Sequence, residues 1–277
     1  MKTPEEFLRE VITDTTFANC ADVVIERDGV IKREHTDRMK DGNCVVFCQT
    51  DALQKVFDVM RNLGDDCNKY ILITHRSDFT IDESRYNTKH LAVVKWYAAN
   101  ANINRPDLVP IPLGLESPGC QGYSDHPEVL EKVLREPRKI KNLVYMNFSH
   151  TTQPKRQLWV DHFQGKPWVT EKSKTSFEEF IRDCYGHSFV LSPEGNGIDT
   201  HRTWEALYMG AIPIVQNSIF VNSFDQLPLV VVDDVSVITK EYLENITLNH
   251  YCCDEKIYMS YWKERIDKDR KEFLCAG

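Results

Sequence analysis

The sequence predicts an α/β protein built from two Rossmann-like halves, on three observations. The chain has 277 residues, which at about 100–200 residues per domain corresponds to two compact domains. Short β-branched runs alternate with segments of helical spacing in both halves, the pattern of parallel strands joined through helices. Hydrophobic residues make up 42% and charged residues 27%, an ordinary globular balance with enough apolar side chains for two cores.

In the first half, residues 21–26 form a short apolar run, and 43–50 (NCVVFCQT) a β-branched run with a polar tip. Residues 51–63 follow, with Leu53, Val56, Phe57 and Met60 at helical spacing. Asp51 is placed to cap that helix and Gly64 to stop it. The next strand, 70–74 (YILIT), runs into His75-Arg76-Ser77-Asp78. Residues 91–99 suit a short strand or helix, and 108–115 (LVPIPLGL) a strand broken by two prolines. From 116 to 138 the chain carries Pro118, Gly119, Gly122, Pro127 and Pro137, an inter-domain composition with room for a short helix at 127–134.

The second half repeats the pattern. Residues 141–148 predict a strand, 154–163 a helix, and 176–184 a helix with Phe177, Phe180 and Ile181 on one face. Residues 189–192, 211–215 and 229–232 predict buried strands, and 251–274 a charged, aromatic helix. The expected domains are 1–123 and 141–250, joined by a linker at 124–140. Residues 251–277 are expected to form a C-terminal helix that packs back on the first domain.

Lys and Arg number 34 against 42 Asp and Glu, a formal charge of −8. That argues against a nucleic-acid binder, which needs a broad basic face. The nine cysteines show no paired CxxC spacing and predict reduced thiols. The N-terminus has no apolar core of a signal peptide, and no run of 18 apolar residues occurs, so a cytoplasmic protein without a membrane partner is expected. The sequons at Asn147 and Asn245 then read as chance matches. No HxxxH spacing points to zinc.

The chemistry concentrates in 189–215, FVLSPEGNGIDTHRTWEALYMGAIPIV. It reads as a strand, a loop from Ser192 to Asp199, a helix over 200–209 and a second strand. Asp199 or Thr200 suits the N-cap, and Gly210 follows the helix end. Gly195, Asn196 and Gly197 allow a close ligand approach, and the helix N-terminus behind them favours an anion. His201, Arg202 and Glu205 are spaced three and four apart and share a helix face. Arg202 suits phosphate, and Glu205 suits ribose hydroxyls. The bland alternative is an ordinary strand–turn–helix with a surface Arg–Glu pair.

This segment resembles the signature of exostosin-like glycosyltransferases, the family 47 type. Weaker likeness extends to YILITHRSD at 70–78, LVPIPLGLE at 108–116 and LVYMNFSHTTQPKR at 143–156. The resemblance implies a GT-B-like fold, with two facing Rossmann-like domains and a cleft between them. It also implies inversion at the anomeric carbon, a nucleotide-sugar donor (usually a UDP-sugar), and no cofactor or DxD-bound metal. The DxD at Asp267-Lys268-Asp269 reads as a solvated helix face. Unlike animal exostosins, the chain shows no anchor, stem or second catalytic domain. It is similar to compact members from large algal viruses that glycosylate their own capsids, acting in the host cytoplasm.

In the family, an Arg at the position of Arg156 contacts the donor diphosphate, with Lys155 beside it. The donor set is therefore Lys155, Arg156, Ser192, Glu194, Gly195, Asn196, Gly197, His201, Arg202 and Glu205. An inverting transfer needs a base for the acceptor hydroxyl, expected from the N-terminal, acceptor-side domain. Asp78, just past the YILIT strand, is the first choice and His75 the second. Glu116 is a third candidate, on the acceptor. UDP-xylose is the favoured donor and a glycan the acceptor. The alternative is a catalytically inactive nucleotide- or glycan-binding module of the same fold.

Overall fold

The computed structural model describes residues 10–26, 28–64, 68–117, 126–246 and 255–274. The expected linker residues Pro118, Gly119 and Gly122, Thr247 of the second sequon, and Cys252-Cys253 lie outside the described residues. Two compact units emerge, one from residues 12–113 with the C-terminal helical stretch from 258, the other from 114–257 together with the chain up to Val11. Each is an α/β unit around a five-stranded, fully parallel sheet.

In the first unit the strands run β1 (Val23–Val24), β2 (Cys44–Gln49), β3 (Tyr70–His75), β4 (Val93–Ala98) and β5 (Leu108–Pro110), side by side in that order. The helices are α1 (Asp14–Ala18), α2 (Arg33–Lys40), α3 (Leu53–Leu63) and α4 (Glu83–Tyr86). Leu53, Val56, Phe57 and Met60 of α3 bury against Val46, Cys48, Leu72 and Trp96. The helix ends at Gly64 in the left-handed conformation, φ 64°. Asp51 does not cap it: residues 50–52 form a 3-10 turn, and Ala52 occupies the cap with no side-chain bond. Residues 91–99 resolve as a strand, because Trp96 and Tyr97 alternate onto opposite faces of a sheet buried on both sides.

The second unit contains α5 (His126–Leu134), β6 (Asn142–Met146), α6 (Arg156–Phe163), β7 (Val169–Glu171), α7 (Phe177–Tyr185), β8 (His187–Leu191), α8 (His201–Tyr208), β9 (Ile212–Gln216), α9 (Ile219–Asn222), β10 (Val230–Val232) and α10 (Lys240–Glu244). Its strand order is β10-β9-β8-β6-β7. Ser176 and Glu179 form a capping box at the start of α7. Val144, Met146, Phe189, Leu191, Ile212 and Ile214 share a core with Trp159, Val160 and Phe163 of α6.

The last helix, α11 (Met259–Asp269), belongs to the first unit. Trp262 packs on Phe17, and Tyr97 donates to the Asp269 carboxylate. Arg270 donates to Asp22 and to the Cys20 carbonyl. The Asp267-Lys268-Asp269 run is therefore not one solvated face, since Asp269 is buried. The division between units falls at Leu113, short of the residue 123 read from sequence. The reason is local: the Gly114 carbonyl and the Glu116 carboxylate both bind His201.

No helix among the described residues is long and apolar enough to cross a membrane. Cys20, Cys44, Cys48 and Cys184 are free thiols. Burial pushes Cys44 and Cys48 up to about 12, so both stay protonated at neutral pH.

Candidate functional site

In the second sheet, β7 follows β6 on one side and β8 follows on the other. The winding direction reverses between β6 and β8, and the crevice beyond their carboxyl ends is where open α/β sheets bind ligands. Two loops meet there, 147–155 after β6 and 192–200 after β8.

The second loop is closed by its own polar groups. The Ser192 hydroxyl bonds Thr200 Oγ1 at 2.9 Å and Thr203 Oγ1 at 2.8 Å. Asp199 accepts from the Thr200 N–H at 2.8 Å and from Trp204 Nε1 at 2.7 Å. Thr200, not Asp199, is the N-cap of α8, and its side chain makes no cap bond. The N-terminal amides of α8 thus keep no side-chain oxygen as partner at the cap. The Gly195 N–H turns inward to the Gly197 carbonyl at 3.0 Å, so it is spent within the loop. A Cβ on Gly195 would lie 3.4 Å from Arg156 Nη2, so the guanidinium packs directly over this glycine.

Arg156 opens α6 and is 5% exposed. Its Nε donates to the Glu194 carbonyl at 2.7 Å, Nη1 to the Ser149 carbonyl at 2.8 Å and Nη2 to the Pro193 carbonyl at 3.4 Å. One side chain therefore ties both loops together. Lys155 points outward and reaches Glu194 only at 3.9 Å. Arg202 donates Nε to the Asn147 carbonyl at 3.0 Å. Phe148 lies under both guanidiniums, 5.5 Å from Arg156 Cζ and 5.9 Å from Arg202 Cζ, and Phe180 lies 6.0 Å from Arg202.

Neither arginine makes an ion pair with a carboxylate among the described residues, and Arg202 Nη1 and Nη2 make no hydrogen bond there. Burial, and then the charge of Arg202, bring Arg156 down to about 10. Burial likewise lowers Arg202, against the pull of Glu205. Glu205 is 7% exposed. Burial raises its pKa, while the His201 and Arg202 charges oppose the rise. Its carboxyl has no hydrogen-bond partner among the described residues. Two adjacent cations and one carboxyl are thus held where the loops after β6 and β8 meet.

His201 is held from both sides. Nδ1 lies 2.7 Å from the Gly114 carbonyl and Nε2 lies 3.0 Å from Glu116. Both partners only accept, so both ring nitrogens carry hydrogens. Burial alone would lower its pKa; the Glu116 bond and the Glu205 and Glu116 charges outweigh that and hold it at about 9, above the ordinary 6.5. The stability this pairing adds is full below about pH 6.5 and is lost as pH rises through about 9. Urea unfolding of wild type and Glu116→Gln checks this. The gap between them is expected at about pH 6 and is expected to close by about pH 10; a gap that persists at high pH would contradict the pairing.

Asn196 is exposed on the loop, and Gly197 is buried. The structure thus ties Arg156 to Glu194 in the loop after β8 and sets it beside Arg202, with His201 and Glu205 on the same helix and Ser192 at the loop's start, while Lys155 and Asn196 are exposed.

The two candidates at the end of β3 and just past it sit in the first unit. Asp78 is exposed on the loop that follows the strand. His75 does not suit the role of base: it is 1% exposed, and both nitrogens are engaged. Nδ1 accepts from the Arg76 N–H at 2.8 Å and Nε2 faces the Pro112 carbonyl at 3.1 Å. Glu116 binds His201 within the second unit. Among the described residues, no group of three His, Cys, Asp or Glu side chains could hold a metal ion.

Sequence reading missed Phe148, the platform shared by the two arginines, and the carbonyls of Ser149, Asn147, Pro193 and Glu194 that orient them. An aromatic residue directly before a polar post-strand loop was the available signal for Phe148; backbone acceptors leave none.

No family model and no curated protein matches the chain. Among solved structures the chain is similar to the UDP-GlcNAc 2-epimerase of Methanocaldococcus jannaschii, in complex with UDP-GlcNAc and UDP. The two share 10% identity with a TM-score of 0.40, over 86% of this chain and 79% of that chain.

Proposed function

We propose that the chain is an inverting glycosyltransferase of the exostosin-like type, moving a sugar from a UDP-sugar to a hydroxyl of a glycan. The observation that carries this reading is the Arg156–Arg202 pair over Phe148, at the point where the winding of the sheet reverses. Two neighbouring guanidiniums that form no ion pair among the described residues are costly unless an anion joins them. A diphosphate fits that demand, with Arg202 Nη1 and Nη2 as a two-pronged donor.

In this reading Glu205 accepts from the ribose hydroxyls. The amides of α8 add favourable partial charge to the departing diphosphate. The positive charge at the phosphates comes from Arg156, Arg202 and the His201 imidazolium, so catalysis proceeds without a divalent metal. Asp78 takes the acceptor proton while the bond from the anomeric carbon to the diphosphate oxygen breaks. The proposed donor is UDP-xylose.

The test is product analysis by NMR, with a panel of UDP-sugars and deoxysugar acceptors in the presence of a chelator. A glycoside of inverted anomeric configuration is expected, and Asp78→Asn is expected to lose at least about 100-fold in kcat, the scale of general-base catalysis. An altered free nucleotide sugar would mark an epimerase instead. UDP binding without turnover would mark a binding module.

A further inference from the structure

Asn147 stands one residue past β6, at the start of the loop that carries Phe148 and Ser149. Its side chain faces the same way as that of Tyr145, because residues two apart in an extended chain share a face. Asn147 Nδ2 donates to Tyr145 Oη at 2.7 Å and to Thr175 Oγ1 at 2.8 Å. Both hydrogens of the amide are thereby used. Tyr145 is fully buried, with its ring centroid 5.2 Å from that of His187 and 5.8 Å from that of Phe180. Thr175 directly precedes Ser176, the N-cap of α7.

The backbone of the same residue meets Arg202. Its carbonyl accepts from Arg202 Nε at 3.0 Å, the one hydrogen bond the Arg202 side chain makes among the described residues. Phe148, the next residue in the chain, lies 5.9 Å from Arg202 Cζ, and Phe180 of α7 lies 6.0 Å from it. The two rings confine the guanidinium, and the bond to the Asn147 carbonyl sets the direction in which Nη1 and Nη2 point. The Asn147 side chain ties the end of β6 to the entry of α7. It therefore joins the pieces that carry both rings to the acceptor that orients Arg202.

We propose that Asn147 is a positioning residue for nucleotide binding: its side chain fixes its own carbonyl, and the carbonyl aims Arg202 at the diphosphate. The proposal rests on the reading of Arg202 as a diphosphate ligand given above. Asn147 acts through Arg202 and not on the nucleotide. An arginine is rich in rotamers, and its planar fork binds two oxygens well when it is aimed before the ligand arrives. Loosening the carbonyl returns that freedom to Arg202 and costs affinity without removing any charge from the site.

The test is the calorimetric UDP affinity of Asn147→Ala in the whole chain, alone and combined with Arg202→Ala, with urea unfolding checking that each protein is folded. Asn147→Ala is expected to weaken UDP about tenfold when Arg202 is present and less than about twofold when it is absent, because the side chain it aims is then gone. Thr175→Val is a milder variant that removes one anchor and keeps the branched shape. It is expected to weaken UDP about threefold, again only when Arg202 is present. Unchanged UDP affinity in both Asn147→Ala and Thr175→Val would overturn the proposal. So would an equal loss with and without Arg202, the result of a merely structural role. Wild-type protein that does not bind UDP would instead overturn the nucleotide-sugar reading on which the assignment rests.

Discussion

Replacing Arg202 by Ala is expected to weaken UDP binding about 100-fold. Its Nε is committed to the Asn147 carbonyl, which aims Nη1 and Nη2 without using them. Two charge-assisted hydrogen bonds to phosphate contribute about 1.5 kcal/mol or more each, which together make about two orders of magnitude in affinity. The fold is expected to tolerate the change, because the substitution also removes a cation that lowers its neighbour Arg156. Arg202→Lys keeps the charge but not the two-pronged geometry, so an intermediate affinity is expected. Calorimetric UDP affinity equal to wild type in both variants would remove Arg202 from the site.

Arg156→Ala acts on stability as well as binding. The side chain is 5% exposed and joins the carbonyls of Ser149, Pro193 and Glu194. Truncation leaves those carbonyls without their donor and opens a gap beneath Gly195, whose Cβ position lies 3.4 Å from Nη2. A loss of about 1–3 kcal/mol in unfolding free energy is expected, the range for leaving buried acceptors without their donor. An ammonium cannot span three carbonyls, so Arg156→Lys is expected to recover only part of the loss. Urea denaturation reads the effect directly. A change below about 1 kcal/mol would mean that the two loops hold together without this side chain.

Periodicity made the sheets legible because both are buried on two faces. Runs such as YILIT and FVL have no polar side, and α3 presents Leu53, Val56, Phe57 and Met60 at helical spacing. The short pieces were harder to read. The strand Val169–Glu171 and the helices Asp14–Ala18, Glu83–Tyr86 and Ile219–Asn222 are too brief to show a period and are fixed by tertiary contacts.

The same contrast holds in the site. The shared helix of Arg202 and Glu205 was legible because it follows from their spacing. Lys155 and Arg156 look equivalent as letters, and only packing decides that Arg156 turns in under Gly195 while Lys155 stays exposed. His75 looked like a base because it ends a strand, yet backbone groups engage both of its nitrogens. Backbone donors and acceptors have no sequence signature, so such capture is invisible until the fold is known.

A crystal structure of the chain with UDP tests the central claim most directly. The account predicts the diphosphate at the carboxyl ends of β6 and β8, with Arg202 Nη1 and Nη2 on its oxygens, Arg156 alongside and the ribose on Glu205. UDP seated away from both arginines, or on the first sheet alone, would contradict it.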